Sequence, residues 1–121
     1  MKIAKDHVHG LFPRKCKNCN REFVSFKDFL LNTRPVGEVM SWDADSGDWR
    51  PKQPLGIMAH ANCQYGSTLV ISSERMSLLR LWRLMLWVRL ESHRRGEAPS
   101  AVLTALRDKV VAQELAEPES A

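Results

Sequence analysis

The sequence predicts an α+β protein: a small β domain with one short helix over residues 1–72, then a two-helix hairpin over residues 73–121. Three observations predict it. Between Val36 and Ser72, short extended segments alternate with Gly, Pro, Asn and Asp clusters. After Ser73 the apolar residues recur at helical spacing. Gly96, followed by Ala98-Pro99-Ser100, then stops one helix and starts another. A composition of 44% hydrophobic and 26% charged residues fits such a globular chain. It excludes a wholly disordered, a collagen-like or a disulfide-dense chain.

The first helix expected is Ser25 to Asn32. Ser25 can cap it, Asp28 stands in the capping-box position, and Phe26, Phe29 and Leu30 form the apolar stripe. Pro35 is expected to end it. Val36 to Trp42 reads as a strand, Asp43 to Asp48 as a turn, and Trp49 as the start of a further extended segment reaching Pro51 and Pro54. Ile57 to Asn62 and Ser67 to Ser72 read as two strands joined by Cys63-Gln64-Tyr65-Gly66. Ser72 or Ser73 is expected to cap a helix running to about Arg95, with Gly96 as its stop. Ser100 to Ala116 forms the second helix, with Val102, Leu103, Leu106, Val110 and Leu115 on one face.

The long helix is apolar over most of its circumference, which a lone surface helix should not be. Burying an exposed Leu or Trp is worth roughly 1.5–3 kcal/mol. A homo-oligomer is therefore expected, with Leu78, Leu81, Trp82, Met85 and Leu86 at its interface. The alternative is that the compact domain covers this helix within one monomer.

Cys16-Lys17-Asn18-Cys19-Asn20 is a C-x-x-C with Asn next in line. A knuckle of this kind bends through a left-handed residue, which Asn and Gly tolerate, while two thiolates chelate one ion. Arg14, Lys15 and Lys17 favour the thiolate form. The third cysteine, Cys63, sits in a second turn. Three thiols cannot all pair within one chain, and the residues after Cys19 look extended rather than helical, unlike a thioredoxin-type redox pair. A structural zinc ion is the expected cofactor. His60, three residues before Cys63, is the nearest fourth ligand, although strand alternation sets positions 60 and 63 on opposite faces unless the chain bends. His7 and His9 are its rivals.

Through Cys16-x-x-Cys19 and the turn from Cys63 to Gly66, the chain resembles the zinc-ribbon and rubredoxin-knuckle proteins. More loosely, residues 11–116 resemble small bacterial proteins with a C-x-x-C, an F-x-x-F-L helix, a Trp-rich middle, an N-C-x-C-G turn and two C-terminal helices. The resemblance implies a zinc-organised domain and no particular activity. The sequence departs from it at Tyr65, which stands where that turn has its second cysteine.

Charge is uneven. Residues 1–27 carry +5, residues 28–72 −2, residues 73–95 +4 and residues 96–121 −3, for a net +4. Arg14, Lys15, Lys17 and Arg21 at the knuckle would be the contact set of a nucleic-acid-binding regulator, an alternative reading. Walker, dinucleotide, H-E-x-x-H and G-x-S-x-G motifs are absent, and Asp43 to Asp48 lacks the glutamate of a calcium loop. Trp42 and Trp49 flank that acidic turn as a hairpin pair or an aromatic recognition surface. The leading expectation is a non-enzymatic, zinc-stabilised interaction or regulatory protein. Zinc- or thiol-dependent enzyme activity is a further alternative. The residues from Met1 to His7 have no apolar signal region, and the run from Met76 to Leu90 is broken by Arg80, Arg83 and Arg89. That run is shorter than the roughly 20 residues of a membrane-spanning helix, so a cytoplasmic chain with reduced thiols is expected.

Overall fold

A computed structural model describes residues 2–16, 20–63 and 68–117. The chain opens with helix α1 (Lys2–His9). Strands β1 (Arg14–Lys15) and β2 (Glu22–Phe23) then pair antiparallel as a short hairpin. Helix α2 (Phe26–Asn32) follows. Ser25 caps it: its Oγ accepts the Asp28 N–H, and the Asp28 carboxylate in turn accepts the Val24 N–H. The helix ends at Thr33, whose hydroxyl donates to the Phe29 carbonyl. Pro35 is not the stop; it lies inside strand β3 (Thr33–Ser41), opposite Ala61. A proline is tolerated there because β3 is an edge strand.

β3 leads into a single-turn helix α3 (Trp42–Asp45), where a turn was expected. The Ser41 hydroxyl accepts the Ala44 N–H and starts it. The segment around Trp49 is not a strand. Instead the buried Asp43 carboxylate accepts the N–H groups of Leu55 and Gly56 and folds this loop back. Strands β4 (Ile57–Cys63) and β5 (Thr68–Ser72) complete an antiparallel sheet in the order β3-β4-β5.

Helix α4 (Leu78–Arg95) is capped by Ser77, whose hydroxyl accepts the Arg80 N–H. Ser72 and Ser73 cannot serve, because Ser72 belongs to β5 and the Ser73 hydroxyl already accepts the Ile57 N–H. Gly96 closes α4 in the left-handed conformation (φ 65°), its N–H bonded to the Ser92 carbonyl. Helix α5 (Pro99–Ala116) starts on a proline, which lacks the N–H that a first turn leaves unpaired. The expected hairpin therefore forms. It does not stand apart from the rest: Phe23, Phe26, Phe29, Val39 and Ala61 share one buried cluster with Leu84, Val88, Val102, Leu103, Leu106 and Val110. α5 lies across β3, and its buried positions continue to Glu114, while Leu115 is exposed. The i+4 spacing from Leu106 through Val110 selects Glu114. Among the described residues, no helix is long and apolar enough to cross a membrane.

Candidate functional site

The β1–β2 hairpin turns at the cysteine motif. Cys16 donates its N–H to the Arg21 carbonyl at 2.8 Å, and its own carbonyl accepts the Asn20 N–H at 2.9 Å. Asn20 has φ 62°, the left-handed conformation expected of the residue after the second cysteine. Cys19 and Lys17 lie outside the described residues, as does Tyr65. Cys16 is buried, and so is Cys63 at the end of β4, opposite Thr33. Both belong to the main buried cluster, into which Phe23 and Phe29 also pack edge to face.

The three histidines considered as a fourth ligand are placed elsewhere. His60 stands in register between Val36 and Val70, and the pleat sets it on the opposite face of β4 from Ala61 and Cys63. No bend brings the two faces together, so this register corrects His60 as a companion of Cys63. His7 bonds through Nε2 to the Ser72 carbonyl at 2.8 Å, and His9 to the Glu114 carboxylate at 2.9 Å. Among the described residues, which exclude Cys19, no three His, Cys, Asp or Glu side chains gather.

The knuckle's basic side chains are only partly available. Lys15 is exposed and Arg14 half-buried. Arg21 lies over the Phe23 ring, 5.7 Å from its centroid, with Nη2 3.6 Å from Asp28. Its Nε is buried without a hydrogen-bond partner among the described residues.

The long helix carries two interleaved stripes. Leu81, Leu84, Met85 and Val88, at i, i+3, i+4 and i+7, face inward. Leu81 is 2% exposed and Met85 0%, so neither is free to meet another chain, correcting their place in an oligomer interface. Trp82 is half-buried, its indole N–H bonded to the Pro51 carbonyl and Arg50 stacked on its ring. Leu78 and Leu86 of that expected set remain exposed. The outward stripe is Leu79, Arg83, Leu86 and Leu90, the three leucines being 68%, 55% and 60% exposed. Leu79 and Leu90 lie outside the expected interface set, although their spacing with Leu86 is that of a heptad seam.

Arginines border this stripe. Arg80 and Arg83 make no ion pair among the described residues, and Arg89 stacks over Trp49. Glu91, the one acid on α4, is engaged by Arg94 at 2.7 Å and Arg95 at 2.8 Å. The Arg94 hydrogen bond, above all, holds its carboxyl below the usual carboxylate range. The outward face of α4 therefore exposes three leucines, with Arg83 set among them and Arg80 and Arg89 beside them. Trp42, on α3, is exposed, whereas Trp49 is half-buried against the core; they do not form a hairpin pair.

No protein-family model, curated protein or solved structure matches the chain.

Proposed function

We propose that this chain is a non-enzymatic, zinc-stabilised interaction protein that receives an acidic amphipathic helix on the outward face of α4. The observation that carries the reading is the exposed Leu79–Leu86–Leu90 stripe, with Arg83 among the leucines and Arg80 beside them, neither in an ion pair among the described residues. A helix with leucines on one side and glutamates flanking them buries that apolar surface and pairs those charges. A second copy of the chain fits less well. In a parallel pair the two Arg83 side chains meet at the seam, and in an antiparallel pair centred on Leu86, Arg83 of each copy meets Arg89 of the other. Like charges facing one another across an interface oppose association.

Zinc in this reading is structural. Cys16, Cys19 and Cys63 hold it as thiolates in a reducing, cytoplasmic setting, with a fourth ligand other than His60. The left-handed Asn20 and the two buried cysteines support it. Metal content by native mass spectrometry tests it: one zinc per chain, lost in Cys16→Ser, is expected, and metal-free protein with intact fold overturns it.

The partner is tested with a synthetic 21-residue helical peptide bearing leucine at the seam and glutamate beside it. Fluorescence anisotropy is expected to show saturable binding that weakens with salt, and that drops at least about tenfold, about 1.4 kcal/mol, in Leu86→Glu. A chain whose mass doubles with concentration, and falls back in Leu86→Glu, would give the face to a second copy and overturn this partner. So would failure of the peptide to bind.

A further inference from the structure

We infer that the chain holds a second site, for a small, uncharged apolar molecule, in a cavity between the sheet and α5. The cavity measures about 130 Å³. Ala59 and Ala61 floor it from the central strand, and Phe29, Leu103, Leu106 and Val110 roof it from α2 and α5. Cavities of about 150 Å³ with Leu, Ile and Phe walls take up benzene or xenon, which sets the ligand's scale at one six-membered ring or a short alkyl chain.

The sequence makes this space. The inner face of the sheet is otherwise built from large residues: Val39 on β3, Ile57 on β4, Leu69 and Ile71 on β5. At its centre stand two alanines, successive inward positions of β4. Alanine is a poor strand former, and a β-branched residue is the usual occupant of a buried central strand. The missing side-chain volume lies directly under α5.

Ligand polarity follows from the lining. The His7 ring bonds to the Ser72 carbonyl and the Thr33 hydroxyl to the Phe29 carbonyl. The Ser73 hydroxyl accepts the Ile57 N–H, and Arg107 donates to the Gly37 carbonyl. The His7, Thr33, Ser73 and Arg107 side chains at the wall are thus already engaged, and the rest of the lining is almost wholly apolar, so an ionised ligand would find little to offset its desolvation. Pro35 is exposed and Arg107 and Val111 half-buried, which makes the seam between β3 and α5 the route to solvent.

The test uses the whole chain with benzene and with xenon. Methyl-resolved NMR is expected to show saturable shifts at Ala59, Ala61 and Leu106 with both probes, and benzene is expected to raise the thermal midpoint. Ala59→Leu fills the space and is expected to abolish both effects; Ala61→Val, a smaller filling, covers the case in which the leucine variant does not fold. Unchanged methyl shifts in the natural chain overturn the proposal. So do shifts that persist undiminished in the filled variants, because the probes would then sit elsewhere.

Discussion

His9, at the end of α1, meets Glu114 on the buried face of α5, Nε2 to Oε2 at 2.9 Å. The contact joins residues 105 positions apart and, with Lys5–Glu117 at 2.8 Å, ties an eight-residue helix to the last turn and C-cap of α5. Glu114 is buried, so without His9 its carboxylate would lose this partner where water cannot replace it. His9→Ala is expected to destabilise the fold by about 1–2 kcal/mol, less than a fully buried pair because His9 itself is half-exposed. Adding Glu114→Gln to His9→Ala should recover part of that loss. Urea unfolding of the single and double variants measures both, and strict additivity would remove the coupling.

The Asp43 carboxylate organises the loop that replaces the expected strand. It accepts from Leu55 at 3.1 Å and from Gly56 at 2.9 Å, using both oxygens. Asp43→Ala leaves two N–H groups unpaired and is expected to cost about 2–3 kcal/mol, whereas Asp43→Asn keeps one acceptor and should cost less. Thermal unfolding ranks the two; equal losses would mean that the second bond contributes nothing.

How much of this was legible in the sequence depended on how local the signal was. The Ser25 cap, the Gly96 stop and the left-handed Asn20 are set by residues within one turn, and each stands where its residue type demands. α1 was not legible: Ile3, Ala4 and Val8 are too few to mark an isolated helix, and long-range contacts hold it. The roles of the two sides of α4 were hidden for the opposite reason. Leucines, tryptophans and methionine nearly surround it, so periodicity could not say which stripe the sheet and α5 would take. The pleat fixed His60 only once the register was known, and the cavity over Ala59 and Ala61 needed the position of α5.

The two stripes of α4 give a direct comparison. Met85→Ala removes a fully buried side chain and is expected to cost about 2–4 kcal/mol through lost burial and the cavity left behind. Leu86→Ala, one residue away, should change stability by about 0.5 kcal/mol or less, since that side chain is exposed. Denaturant midpoints of the two variants check it. Similar losses would mean that Leu86 is covered in solution, by a second copy or by another part of the chain.

Asn20 separates conformational from side-chain effects at the knuckle. At φ 62° a glycine is unstrained and an asparagine offsets the crowding of its Cβ through local bonding of its short polar side chain, whereas an alanine keeps the crowding without that offset, at a cost of about 1 kcal/mol. Asn20→Gly is therefore expected to match the natural chain and Asn20→Ala to lose stability and, in the zinc-bound form, to release metal faster to a chelator. Chelator competition followed by absorbance distinguishes them; equal release rates would separate the turn from the metal.

Glu91 supplies an acid-side test. Arg94 first, then Arg95, lowers its proton affinity in the folded chain. A carboxyl whose folded pKa lies below its unfolded value contributes stability that is fully present above the unfolded pKa. That contribution is lost as pH falls through the folded pKa. The position makes the pairing necessary, because an unpaired acid in the last turns of a helix opposes the carbonyl end of its dipole, which the two arginines favour. In an NMR titration, Glu91 is expected to release its proton at lower pH than the ordinary glutamate, and to move back towards that value in Arg94→Gln. Glu117, lowered chiefly by the Lys5 hydrogen bond, should shift independently and stay unchanged in that variant. A Glu91 midpoint that is the same with and without Arg94 would show that the pair does not persist in solution, and would return a free acid to the edge of the α4 face.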